Sequence, residues 1–332
     1  MNGRSMRSEM GEQPAVLARL ALSAEDTIAR IREIVPPALT GVTFVARGSS
    51  DNAATYGRYL AEVACGRPAG LAAPSVFTRY RSAADYRGQL VVGLSQSGAT
   101  PEIVDVCGVL RAAGARVIGV TNDPGSPLAD VADAVLATDA GPELAVPATK
   151  TVTAQMLLMV LLAKALGPLS ITSEELQETS LVVASALANA HQVEAVGRSW
   201  SGASGLLVVG RGYGYAAALE AALKVREVAA VHAEALSVAD LLHGPIASMS
   251  SELPVLLLDA GGVTSDDIEL AQERLQQLDV PCLRLAPSGR LSEALEPIGL
   301  VVRGQQLAAA WADAVGLDPD APAGLSKVTL TE

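Results

Sequence analysis

Two short turns rich in hydroxyls are the first places in this chain where chemistry could be done. Gly48-Ser49-Ser50-Asp51-Asn52 and Ser95-Gln96-Ser97-Gly98-Ala99-Thr100 each follow an apolar run and open a stretch of helical period. At such a junction the free N–H groups and the positive helix end face the carboxyl end of the strand. Ser50, Ser95, Ser97 and Thr100 add O–H donors and Gln96 an amide, while Gly48 and Gly98 permit close backbone approach. Either turn alone is accounted for by N-capping. Both together, on strands of one sheet, point to a phosphate monoester held without an arginine. Neither turn carries G-K-[ST] or G-x-G-x-x-G, which argues against a nucleotide.

A second group lies further along. Glu220, Lys224 and Glu227 are spaced i, i+4, i+7, so a helix puts them on one face, among Ala, Leu and Val. The ordinary reading is a solvated ion pair; beside a cleft the same face is a carboxylate with a cation to tune it. His243 stands in Leu241-Leu242-His243-Gly244-Pro245, where Gly and Pro end a helix and fix the imidazole on a turn. The irregular C-terminal stretch contains Lys327, a solvated side chain unless a pocket desolvates it, in which case its amine can form a Schiff base with a carbonyl.

Elements must position these groups. Short β-branched runs at 42–47, 89–94, 116–121, 206–210, 254–258 and 282–285 alternate with helical patterns near 52–63, 101–113, 216–228 and 265–278, the signature of parallel sheets flanked by helices. Longer helices are expected at about 151–166 and 173–196. A shift of 164 residues lays Phe44-Val45-Ala46-Arg47-Gly48 on Val208-Val209-Gly210-Arg211-Gly212, Val91-Val92-Gly93-Leu94 on Val255-Leu256-Leu257-Leu258, Gly98 on Gly262, and 116–121 on 280–285. The expected fold is therefore α/β, with two tandem doubly wound parallel-sheet domains related by internal duplication, at 36–170 and 171–318. A helical segment at 1–35 and an irregular tail at 319–332 complete it. The second copy has Gly212-Tyr213-Gly214-Tyr215 and Asp259-Ala260-Gly261-Gly262 at its turns, so only the first copy is equipped with hydroxyls for an anion.

Composition narrows the classes. Of 332 residues, 50% are hydrophobic and 18% charged, enough to bury a large core. The 36 acidic against 24 basic residues give a formal charge of −12, which disfavours nucleic acid and anionic membranes as partners. The most apolar run, 156–163, is too short to span a bilayer, and no signal-peptide pattern is present, so a soluble cytoplasmic protein is expected. Cys65, Cys107 and Cys282 read as buried thiols. They and His191, His232 and His243 lack metal-ligand spacing, so neither a metal nor a cofactor is expected.

Taken in order, the motifs Met10-Gly11-Glu12-Gln13-Pro14, Gly48-Ser49-Ser50, Ser95-Gln96-Ser97-Gly98, Ala148-Thr149-Lys150, Ala218-Leu219-Glu220, Lys224 with Glu227, His232-Ala233-Glu234, His243-Gly244-Pro245 and Leu325-Ser326-Lys327-Val328-Thr329 make the chain resemble the sugar isomerase (SIS) family. The likeness is to the two-domain isomerase part of glucosamine-6-phosphate synthase and to stand-alone glucosamine-6-phosphate deaminases. The resemblance implies that Ser49, Ser50, Ser95, Gln96, Ser97 and Thr100 hold a sugar 6-phosphate, with Gly48 and Val146 lining the sugar's path. It implies that Glu227 shuttles a proton between C1 and C2, and that His243 opens the sugar ring from a neighbouring subunit, hence a homodimer with shared sites. Lys327 would form a Schiff base with a ketose or assist ring opening, and Glu220 and Lys224 would tune the pocket. Ala99, Ala148 and Ala323 stand where the family usually has Glu, Ser and Arg, which touches sugar contacts rather than the acid–base groups.

With no cysteine-led glutaminase segment ahead of the isomerase opening, glutamine-derived ammonia is not expected from this chain. The leading expectation is then an aminosugar-6-phosphate deaminase/isomerase that converts glucosamine 6-phosphate to fructose 6-phosphate and ammonia. Another 6-phosphosugar aldose–ketose isomerase or a fructosamine-6-phosphate deglycase would use the same base. A non-catalytic phosphosugar sensor would need only the phosphate turns.

Overall fold

A computed structural model describes residues 3–327. In chain order the elements are α1 (Arg4–Leu22), α2 (Ala24–Ile34), β1 (Gly41–Val45), α3 (Ser49–Cys65), β2 (Ala69–Leu71), α4 (Pro74–Thr78), β3 (Gln89–Leu94), α5 (Pro101–Ala112), β4 (Arg116–Thr121), α6 (Pro127–Val131), β5 (Ala134–Ala137) and α7 (Lys150–Leu166). There follow α8 (Ser173–Ala188), α9 (His191–Ser199), β6 (Gly205–Gly210), α10 (Gly214–Ala229), β7 (His232–Ser237), α11 (Val238–Leu242), β8 (Val255–Leu258), α12 (Ser265–Gln277), β9 (Cys282–Leu285) and α13 (Glu296–Ala314). Short 3₁₀ turns occupy Pro245–Ser248 and Gly262–Thr264.

Two compact units result. Among the described residues, one contains 16–143 and 151–173, and the other contains 3–15, 144–150 and 174–327. The first is built on a five-stranded parallel sheet of order β2-β1-β3-β4-β5. Val45, Val91 and Val117 of its strands pack on Ile103, Val106, Cys107 and Leu110 of α5. Burial pushes the Cys107 thiol up to about 12, so it is an inert core side chain. Cys65 and Cys282 are only half-buried, contrary to the sequence reading, because each lies at the margin of its element rather than beneath it. Helix α7 is apolar nearly all round and is buried over most of its length.

The second unit carries a four-stranded parallel sheet of order β7-β6-β8-β9. Leu207, Val209, Val255 and Leu257 pack there on Ile268, Ala271 and Leu275 of α12. Helix α10 lies against β6, β7 and α13. The stretch read from sequence as one helix over 173–196 is two, α8 and α9, separated at 189–190.

The duplication is visible in strand register. Val42 pairs with Ala69 and Leu206 with Ala233, Val91 with Thr43 and Val255 with Leu207, all at the shift of 164. The third strands require a correction: Val91 faces Val117, whereas Val255 faces Cys282, so the shift there is 165. The core residues of α5 and α12 (103 and 268, 106 and 271, 110 and 275) also follow 165. The second copy has therefore gained one residue in the turn between β8 and α12. Even an ion pair is repeated across the copies: Arg47 Nε donates to Glu102 at 3.0 Å, and Arg211 Nε to Asp267 at 3.1 Å.

Candidate active site

The hydroxyl turns occupy the carboxyl ends of β1 and β3, adjacent strands of the first sheet. Neither is spent on capping. Gly48 and Thr100 are the N-cap residues of α3 and α5, and neither helix receives a side-chain cap bond. Instead the Ser95 and Thr100 hydroxyls meet at 3.1 Å, Ser95 Oγ accepts from Gly98 N at 3.2 Å, and Ser97 Oγ accepts from Ala99 N at 3.2 Å. Gly98 sits at φ +62°, where a Cβ would lie 2.5 Å from Ser126 Cβ and 2.7 Å from Thr121 Oγ1. The turn thus folds down onto the sheet only with glycine at that point. Ser50 is buried and accepts from Gln155 Nε2 of α7 at 3.1 Å, which fixes the start of α3. Ser49, Gln96, Ser97 and Thr100 are half-buried, and Gly48 is exposed. Asp51, in the first turn of α3, has its carboxyl raised by burial, an effect that Arg47 partly offsets.

In the other unit, α10 does what the i, i+4, i+7 spacing requires. Lys224 is fully buried, 3.5 Å from Glu220 Oε1 and in contact with Glu227 Oε2. Glu220 is buried, while the Glu227 side chain keeps 22% of its surface open. A buried ammonium is tolerable only with such partners, so the face is a built triad rather than a solvated pair. Of its carboxylates, only Glu227 can reach a ligand. Arg226, on another face, donates to the Ala233 carbonyl.

His243 ends α11 on an exposed turn followed by Gly244 and the 3₁₀ turn at Pro245. Among the described residues its side chain makes no hydrogen bond with the α10 triad. Lys327 is half-buried and donates to the Ala145 carbonyl at 2.7 Å, one residue from Val146, whose own N–H donates to the Asp320 carbonyl at 2.9 Å. The structure thus shows three separate groupings: Ser95 with Thr100 in the first unit and, in the second, Glu220 with Lys224 and Glu227, and Lys327 with the segment containing Val146. Val328 and Thr329 of the tail motif lie outside the described residues.

Three contributors were missed from sequence. Gln155 is a lone amide within an apolar helix, and that contrast was the available signal. Glu9 is buried and accepts from the N–H groups of Leu144 and Ala145, a non-local contact that nothing in sequence marks. Lys150 was noted only within a motif; it is 1% exposed and pairs with Glu12 at 2.6 Å. No cluster of His, Cys, Asp or Glu among the described residues could hold a metal ion. No helix there is long and apolar enough to cross a membrane.

A duplicated parallel sheet with hydroxyl turns at the strand ends of one copy defines a class of domain, and comparison with known proteins identifies it. Residues 41–165 and 201–289 match the SIS domain, and the chain belongs to that family. A Symbiobacterium thermophilum protein named glutamine–fructose-6-phosphate aminotransferase (isomerizing) is 34% identical over 319 residues, covering 89% of this chain and 52% of its own. The chain spans about half the length of the curated relatives it matches. Among solved structures, a phosphosugar isomerase, so named, from Silicibacter pomeroyi DSS-3 superposes with TM-score 0.82 at 30% identity, covering 96% of this chain and 100% of the other. The C-terminal domain of glucosamine-fructose-6-phosphate aminotransferase from Francisella tularensis gives 0.84 at 24% identity, over 96% and 98%, a likeness of fold.

Proposed function

We propose that the chain is an aminosugar-6-phosphate deaminase/isomerase acting on glucosamine 6-phosphate. The observation that carries this reading is the buried Lys224 between two carboxylates, which leaves Glu227 as the one with an open face. A sensor of phosphosugars has no use for a buried triad of that kind. The names of the relatives supply the substrate class: a six-carbon sugar phosphate with an aldose–ketose exchange at C1 and C2.

The phosphate is held by the 48–50 and 95–100 turns, with hydroxyls and backbone N–H groups as donors. His243, exposed on its turn, opens the ring in the site of a second copy, so the working form is a homodimer. Glu227 takes the C2 proton of the open-chain aminoaldehyde and returns it at C1, and the C2 amine becomes a C2 imine. The Lys327 amine adds to C2 and ammonia leaves; water then adds to the lysine imine and frees the ketose. A carboxylate confined beside a fixed cation is a suitable base for the first transfer.

The test is ammonia release from glucosamine 6-phosphate by purified protein, with fructose 6-phosphate as co-product. Glu227→Gln should lower kcat by about 10²–10⁴ while KM changes only a few-fold. Turnover confined to a glycated amine would reassign the chain as a deglycase. Binding without turnover of any candidate would make it a sensor, and equal loss of kcat and affinity in Glu227→Gln would make the glutamate structural.

A further inference from the structure

The tail that carries Lys327 is held from the opposite end of the sequence. At the start of α1, the backbone N–H groups of Ser5 and Met6 donate to the two oxygens of Asp320 at 3.0 and 2.7 Å. Gly3 N donates to Asp318 Oδ1 at 3.1 Å, and the same oxygen accepts from Asp320 N at 3.0 Å. Asp320 is thus the anion at a helix N-terminus, where a carboxylate satisfies orphan donors and meets the positive end of the dipole. Its backbone acts as well, since the Asp320 carbonyl accepts from Val146 N at 2.9 Å.

One turn further along α1, the Glu9 carboxylate grips the other side of the same segment through Leu144 N and through Ala145 N at 3.3 Å. The carbonyl of that same Ala145 receives the Lys327 ammonium. The start of α1 therefore fixes both partners of one contact: the tail through Asp320 and the acceptor through Glu9. All of these residues belong to one compact unit. Glu9 is 4% exposed, so its charge is committed to these N–H groups rather than to solvent.

We propose that Glu9 and Asp320 are positioning residues that together hold the Lys327 amine at the Ala145 carbonyl, beside Val146. Neither touches the substrate. The role deepens the reading in which Lys327 attacks the sugar carbon, and it rests on that reading for its catalytic meaning. Misplacing a reacting group by about 1 Å costs a rate on the order of 10²-fold without weakening the binding of remote groups. Such a loss, confined to kcat, is what the clamp predicts.

The lysine inventory makes the clamp measurable without any substrate. The chain has four lysines, at 150, 164, 224 and 327. Lys150 and Lys224 are 1% and 0% exposed. Trace acetylation of the native protein, quantified by mass spectrometry at each lysine, should show Lys327 labelled several-fold faster in Glu9→Gln and in Asp320→Asn than in the wild type, with Lys150 and Lys224 still protected. On the enzyme side, both variants should lose about 10–100-fold in kcat at near-constant KM, and borohydride trapping of Lys327 with fructose 6-phosphate should slow in parallel. Glu9→Asp should recover part of both readouts. Unchanged Lys327 labelling in both variants overturns the proposal. So does a joint rise at all of the buried lysines, which would make Glu9 and Asp320 supports of the whole unit. Absence of any trapped adduct on wild-type Lys327 refutes the Schiff-base reading, while the labelling still decides whether the clamp exists.

Discussion

The two copies of the sheet present the same turn in two chemical states. In the first, Ser95 at the end of β3 shares a neutral contact with Thr100, and its Oγ takes the Gly98 N–H. In the second, the residue at the shift of 164 is Asp259, fully buried, whose carboxylate accepts from Gly261 N at 2.8 Å and Ser265 Oγ at 2.9 Å. Arg284 neutralises it through Nε at 3.1 Å and Nη2 at 2.6 Å. The single added residue falls in this turn, which becomes the 3₁₀ segment Gly262–Thr264. Glu293 takes two further donors of the turn, accepting from Val263 N and the Thr264 hydroxyl, each at 3.2 Å. Where the first turn carries neutral hydroxyls, the second carries carboxylates of its own. Duplication preserved the scaffold, while the second copy's turn, with Asp259, Arg284, Glu293 and one more residue, is packed with its own charges.

The largest test of this contrast transfers the carboxylate. Ser95→Asp should weaken phosphosugar binding by about 100-fold or more, since like charges brought together cost several kcal/mol. Thr264→Val in the second copy should leave affinity within twofold. Both are read by isothermal titration with the phosphosugar, alongside a melting curve to establish that the variant is folded. A Ser95→Asp protein that is folded and binds normally would remove the 95–100 turn from the site.

A smaller effect compares the two turn glycines. Gly98 and Gly262 both sit at positive φ, +62° and +65°. Gly98→Ala meets two buried neighbours, Ser126 at the N-cap of α6 and Thr121 at the end of β4; Gly262→Ala meets Glu293 Cδ at 2.5 Å and Cβ at 2.8 Å. Each should cost about 2 kcal/mol, from left-handed strain plus overpacking. The second cost should be partly relieved in Gly262→Ala with Glu293→Ala, with a coupling on the order of 1 kcal/mol in urea denaturation. Strict additivity would mean that Glu293 does not sit in the turn.

How far these features were legible in the chain follows from their range. The strands, the hydroxyl turns and the face shared by Glu220, Lys224 and Glu227 are local, and spacing alone places them. The duplication was legible too, but a single shift concealed the extra residue, because the third strands align acceptably at either 164 or 165. Glu9, Asp320 and Glu293 were not legible. Each carboxylate answers backbone N–H groups remote in sequence, or supplied by a turn whose conformation has to be known first. The split of α8 from α9 was missed for a milder reason: Ala, Asn and Ala at 188–190 are compatible with a continuing helix.

The smallest effect is the most direct reading of charge in the second turn. Tyr213, which precedes α10 in the second copy, is half-buried, and its phenol is raised above the usual range by burial first and by the Glu293 carboxylate second. Both act in one direction, because each disfavours the phenolate. Glu293→Gln removes only the second, so the Tyr213 midpoint should fall but stay above the ordinary value of about 10. Tyr86, raised by burial alone in the first unit, should not move. Ultraviolet difference titration follows both, with Tyr213→Phe and Tyr86→Phe proteins assigning the signals among the six tyrosines. A Tyr213 midpoint unchanged in Glu293→Gln would mean that Glu293 places no charge beside Tyr213, and the contrast between the two turns would then rest on Asp259 alone.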